Sequence, residues 1–189
     1  MIELLVTIGI FGLISSIVLA NYPKLSEQLS ISQTAHEIAL AFREAKTYAL
    51  AVRQYCPPGG GACSYNIGYG VHFDTVNSPQ NFLLYVAPLT TTNACATANC
   101  TYSSGYEVDT LTIKSGISIA RICDLSVTPA DCKFNKLDIA YARPDPAVYI
   151  TGFYTGGSQA LSNVGVVVRG PGGSEKTINV WTTGQISVQ

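Results

Sequence analysis

The sequence is short of charge. Of its 189 residues only 11 are Lys or Arg and 12 are Asp or Glu, a formal net charge of -1. No global field draws such a chain to nucleic acid or to an anionic membrane surface. Catalytic equipment is just as scarce. The two histidines, His36 and His72, stand near no recognisable nucleophile motif and read as structural or surface residues. Nothing in the sequence brings Glu107 and Asp145 together as paired carboxylates, and Asp145 reads instead as part of a Pro-Asp-Pro turn. Phosphate-cradling glycine loops and Ca²⁺-loop spacings are missing. The six cysteines lack Cys-x-x-Cys spacing and nearby histidine, which disfavours zinc. The expectation is a protein that is not an enzyme and holds no cofactor or metal.

What is present begins at the N-terminus. From Leu4 to Ala20 the chain carries no charge, and only Thr7, Ser15 and Ser16 are polar. These 17 residues would rise about 25 Å as a helix, just enough to span a bilayer. A cleaved signal peptide would carry a basic segment ahead of its apolar run, whereas the only charge here is Glu3. Beyond Pro23, the residues Ile31, Ala35, Ile38, Phe42, Ala45, Ala49 and Val52 recur at steps of 4, 3, 4, 3, 4 and 3. That is a stripe along one helical face, with Glu27, Arg43, Glu44, Lys46 and Arg53 off it. One helix is therefore expected to be lipid-soluble in its first half and amphipathic in its second, an extension that a targeting peptide has no use for.

The remainder reads as β-structure. Short runs rich in Val, Ile, Tyr, Phe and Thr are expected as strands over 67–73, 82–87, 110–113, 117–122, 137–142, 164–168, 177–181 and 185–188. Gly170-Pro171-Gly172-Gly173 suggests one hairpin turn, and Thr182-Thr183-Gly184 a second. The fold class expected is α+β, with the sheets packed on the striped half-helix. Three parts follow: 1–24 as the transmembrane or core half of the helix, 25–55 as its amphipathic half, and 56–189 as a β-rich extracytoplasmic head. Six cysteines in a chain without a metal pattern suggest an oxidising compartment. Sequential local pairing gives Cys56–Cys63, Cys95–Cys100 and Cys123–Cys132, each around a short loop-like segment, with other connectivities open. Lys24, Arg43 and Lys46 would by themselves orient the C-terminal side toward the cytoplasm. Large domains cross largely regardless of charge, so the cysteines decide the expected orientation.

The opening segment, Met1-Ile2-Glu3-Leu4-Leu5-Val6-Thr7-Ile8-Gly9-Ile10-Phe11-Gly12-Leu13-Ile14, resembles the start of mature type IV pilins and type II secretion pseudopilins. In that family a prepilin peptidase cuts after a glycine, and the mature chain opens with an N-methylated Phe-Thr ahead of a Leu-Ile-Glu-Leu run. Here Met1 and Ile2 stand ahead of Glu3, so either the sequence starts inside the mature chain or the mature chain begins at Met1. The motifs Gly68-Tyr69-Gly70-Val71-His72-Phe73, Ala142-Arg143-Pro144-Asp145-Pro146 and Thr183-Gly184-Gln185-Ile186-Ser187-Val188 resemble the GspH/FimT-like branch in particular. Some members of that branch bind DNA through arginines in a Gly-Arg-x-Arg turn; Gly184-Gln185-Ile186-Ser187 has none, so nucleic-acid binding is not supported.

The resemblance implies a pilin-like lollipop that polymerises through its helix, with the inner membrane, a prepilin peptidase and a pilus assembly platform as partners before assembly. It also implies assembly roles for Met1 and Glu3. Read from chemistry alone, Glu3 complements the helix dipole, worth about 0.3–1 kcal/mol. The resemblance adds a partner, the N-terminal amine of an adjacent subunit. Gly9, Gly12 and Pro23 each weaken a helix. The resemblance makes the segment they bracket the one that partly unwinds on assembly. Three functional readings follow: a filament subunit for adhesion, motility or uptake; a low-copy minor pseudopilin of a secretion or DNA-uptake filament; and a membrane-anchored binding module that never polymerises.

Overall fold

The computed structural model describes residues 2–51, 53–56, 63, 65, 67–88, 100–142 and 148–189. One α-helix, α1, runs from Ile2 to Leu50. Glu3 stands in its first turn, where an acid complements the positive end of the helix dipole. Pro23 lies inside the helix without ending it. The helix ends short of the expected 25–55 half: α1 stops at Leu50, and Tyr55 already takes part in a β-bridge. The Arg53 guanidinium then folds back over the Tyr48 ring, 4.0 Å from its centroid.

Eleven strands follow among the described residues. In one sheet are β1 (Ile67–Asp74), β2 (Asn81–Pro88), β3 (Glu107–Thr112), β6 (Lys136–Tyr141), β7 (Val148–Tyr154) and β8 (Gly157–Ala160), in the order β3-β2-β1-β6-β7-β8. The other contains β4 (Ser118–Asp124), β5 (Asp131–Phe134), β9 (Asn163–Arg169), β10 (Glu175–Trp181) and β11 (Ile186–Val188), in the order β11-β10-β9-β4-β5. Neighbours within both sheets pair antiparallel. The class is therefore α+β.

The helix packs against β1 and β6 of the first sheet and β9, β10 and β11 of the second. Period-two alternation aims Tyr69, Val71 and Phe73 of β1, Leu137, Ile139 and Tyr141 of β6, and Val164, Val166 and Val168 of β9 into one shared core. The described members of the stripe, Ile31, Ala35, Ile38, Phe42, Ala45 and Ala49, are all buried in that core, and Val52 lies outside the described residues. Phe42 packs on Phe73 with ring centroids 5.7 Å apart, and Phe73 stacks on Phe82 at 5.6 Å. His36 is exposed on the opposite side of the helix.

Three strands lie outside the expected set. Strand β5 begins at the end of the Cys123–Cys132 loop and carries Cys132 itself; β8 is an edge strand whose residues are all exposed, so it has no apolar alternation to betray it. In β7 the alternation is broken by Gly152. Strand β3 starts earlier than expected, at Glu107, because the exposed residues of its first half, Glu107 and Asp109, are acids that carry little β-signal. The Gly170–Gly173 hairpin and the turn at Gly184 (φ 79°) are in place between β9, β10 and β11. Disulfides join Cys56 to Cys63 and Cys123 to Cys132. Cys100 is also disulfide-bonded; the Cys95–Cys100 pairing, like the Asp145 turn, lies outside the described residues.

Candidate functional site

The candidate site is the free half of α1. From Ile2 to Leu19 every residue is exposed, including Leu5, Phe11, Leu13 and Leu19. This is the one candidate membrane span among the described residues, by length and composition, and none of its apolar window is buried against the head. Two of its polar side chains are hydrogen-bonded within the helix. The Thr7 hydroxyl donates to the Leu4 carbonyl at 2.9 Å, and the Asn21 amide to the Ile17 carbonyl at 3.0 Å. Such back-bonding suits a surface where water is absent. Each large apolar side chain left in water forgoes roughly 1.5–3 kcal/mol of burial, so this half-helix requires lipid or protein around it.

The residues singled out by sequence sit along this half. Glu3 is exposed and makes no ion pair among the described residues. Met1 lies outside the described residues. A Cβ added at Gly9 or Gly12 would meet no neighbouring atom, so within a single chain neither glycine serves close packing. The helix is continuous through Gly9, Gly12 and Pro23 in the isolated chain; the unwinding expected there concerns assembled subunits.

The head takes hold of the helix at a collar that sequence reasoning missed. Glu27 Oε1 accepts hydrogen bonds from the backbone N–H of Gly172 (2.9 Å) and Ser174 (3.3 Å), at the tip of the β9–β10 hairpin. On another flank Lys114 Nζ donates to Ser30 Oγ at 2.9 Å. Ile31, only 1% exposed, is the first buried residue of α1. The glycine-rich tip brings backbone N–H groups close to a carboxylate, which a side chain at Gly172 would obstruct.

A second polar cluster lies on the face of the first sheet away from the helix. His72 on β1 is opposite Asp138 on β6, and His72 Nδ1 approaches Asp138 Oδ1 at 2.5 Å. The other oxygen of Asp138 accepts from the Tyr102 backbone N–H at 2.8 Å, while the Tyr102 ring stacks on His72 with centroids 4.3 Å apart. Burial, reinforced by a hydrogen bond to Glu107, pushes the Tyr102 phenol up to about 12. Nearby, the Tyr85 ring occupies the space where a Cβ on Gly70 would stand, and its hydroxyl donates to the Cys100 carbonyl at 2.6 Å. His72 and Asp138 are both buried. The arrangement fastens residues 100–107 onto the sheet. Among the described residues no serine, threonine or cysteine hydrogen-bonds to His72, and no group of His, Cys, Asp and Glu is arranged to hold a metal. Alternation alone places His72 and Asp138 on outward faces, but their pairing depends on the β1–β6 register, which sequence does not disclose.

No protein-family model, characterised protein or solved structure matches the chain.

Proposed function

We propose that the chain is a pilin, the structural subunit of a bacterial type IV pilus, polymerising through its N-terminal helix into an extracellular filament. The observation that supports this reading is the division of α1. One half is apolar all round and uncovered; the other is the spine of a disulfide-containing head. In the precursor the free half spans the cytoplasmic membrane with the head outside. In the filament the same surface is covered by the free halves of other copies, and the heads, pilin-like in their lollipop arrangement, tile the exterior. The prepilin peptidase and the assembly platform act on the membrane form. Glu3 is the one charge in the free half and is spared by an assembly role.

The test is Glu3→Ala in cells that produce the filament. The variant is expected in the membrane fraction at the normal level, with no filaments sheared from the surface. Normal filaments from Glu3→Ala would contradict the assembly role. Wild-type chain that stays in the membrane under conditions where the cells make filaments would favour the anchored binding module instead.

A further inference from the structure

Each sheet ends in two edge strands, and an edge presents backbone N–H and C=O groups that no neighbouring strand takes up. Three of the four edges are unsuited to a partner. On β3 the Asp109 carboxylate already accepts from the Thr110 backbone N–H at 2.8 Å. Strand β5 shifts register against β4, is tied by Cys123–Cys132 and carries an ion pair between Lys133 and Asp131 at 2.8 Å. Strand β8 is Gly-Ser-Gln-Ala, exposed throughout and almost without apolar side chains.

Strand β11 differs. Gln185 accepts from the Trp181 N–H at 3.1 Å, and Gln189 and Thr177 exchange two backbone bonds at 2.9 Å. In such an antiparallel ladder the intervening Ile186 and Val188 turn their N–H and C=O groups away from β10. No other backbone group takes these up among the described residues. The same two residues form one wall of a groove of about 300 Å³. Its other wall is the helix, through Ala39 and Leu40 with the exposed His36 and Arg43.

The helix turns a basic flank toward this edge. His36, Arg43 and Lys46 follow one another at steps of 7 and 3, so they share one side of α1. Lys46 Nζ reaches the turn before β11, 3.3 Å from where a Cβ on Gly184 would stand. None of the three meets a carboxylate among the described residues. The nearest acids in sequence, Glu37 and Glu44, each follow one of these bases by one position and are turned about 100° to another flank. Strand β11 itself, Ile-Ser-Val, supplies no acid.

We infer that β11 and the basic flank of α1 form a docking site for an extended acidic peptide of another protein, which adds a strand to the free edge of β11. Unmatched cations alone attract any polyanion, but a free strand edge beside an apolar wall serves a peptide, whose backbone completes the ladder. His36 and Lys46 are about 15 Å apart along the helix axis, the length of roughly four to five residues of strand. The partner's signature is therefore an apolar residue with a carboxylate two positions to either side, all three on one face of its strand. The inference is independent of polymerisation and holds equally for a filament subunit and for an anchored module.

The experiment uses the full chain in micelles of a non-ionic detergent. The probe is a fluorescent, end-capped peptide of seven residues, with isoleucine at its centre, glutamate two positions to either side and threonine elsewhere. Saturable binding by anisotropy is expected. Arg43→Glu, a change at an exposed position, is expected to weaken it by at least about tenfold at an unchanged thermal midpoint, and a peptide with lysine in place of glutamate is expected to bind that variant better than wild type. Backbone N-methylation separates a strand from a mere charge contact. Methyl groups on one alternate set of peptide nitrogens should abolish binding, and on the other set they should be tolerated. A photo-crosslinking group at the central isoleucine should label Leu40 or Ile186. No saturable binding would overturn the proposal, as would equal binding of both methylated peptides or of wild type and Arg43→Glu. A DNA duplex or anionic vesicles that bind through Arg43 where the peptide does not would overturn it too. So would self-association of the chain that Arg43→Glu removes while the peptide fails to bind, which would give the groove to a second copy.

Discussion

Residues 2–19 and residues 31–49 belong to one unbroken helix, yet they have opposite relations to their surroundings. The first set is the more apolar, and every member is exposed; the second alternates apolar and polar residues, and its stripe is almost wholly buried. Hydrophobicity by itself did not decide which half the head would cover. A sheet covers one side of a helix, so it buries a stripe and leaves the far side to polar residues such as His36, Arg43 and Glu44. A helix that is apolar all round needs an environment on every side, which lipid or a bundle of other helices supplies and a single head does not. The collar at Glu27 and Ser30 marks where one regime gives way to the other.

This contrast can be attacked from either side. The largest effect is expected at the centre of the striped half. Phe42→Ala removes a fully buried ring packed on Phe73 and should lower head stability by about 3–5 kcal/mol in denaturant unfolding of the detergent-solubilised chain. A loss under about 1 kcal/mol would mean that the helix is not the spine of the head. Next comes the head's own bracing. Replacing both Cys123 and Cys132 by Ser opens a loop with a sequence separation of 9 and is expected to cost about 2–3 kcal/mol without altering membrane insertion. Equal thermal midpoints with and without reductant would contradict it.

A pH effect of similar order is expected in the head alone. Burial by itself would raise the Asp74 carboxyl, but hydrogen bonds from the backbone and side chain of Asn77, from Lys136 and from the Val76 N–H outweigh it and hold the pKa at about 2, against an ordinary value of 3.8. The folded-state value lies below the unfolded one. Its stabilisation, about 2 kcal/mol, is therefore present in full above pH 3.8 and is lost as pH falls toward 2. Asp74→Asn should be less stable than wild type at neutral pH and should flatten the unfolding curve between those values. An unchanged slope would show that Asp74 is not held this way. The smallest effect is expected in the free half: Leu13→Ala, although it removes a large apolar side chain, should leave head stability within about 0.5 kcal/mol, because Leu13 is 69% exposed. A larger shift would mean that the head and the free half touch.

Much of the helix was legible in the sequence because its signals are local. The charge-free run and the 4, 3 spacing of Ile31 through Ala49 each need only neighbouring residues to be read. The Val164–Val168 and Thr177–Trp181 hairpin was readable for the same reason, through its glycine-rich turn. What escaped was set by distant pairings. Glu27 meets Gly172 across 145 positions of sequence, and His72 meets Asp138 across 66. Strand β8 escaped for another reason: Gly157–Ala160 is polar, exposed and held only by its ladder to β7. At the candidate site, the composition of the free half was plain, whereas Lys114 as part of the collar was not, since it arrives from the turn between β3 and β4.

The most direct measurement is to shear surface filaments from cells that produce the chain and identify their repeating protein. The account predicts that this chain is the bulk of the filament, with its first residues protected inside. Filaments made of another protein, with this chain confined to the membrane fraction, would contradict it.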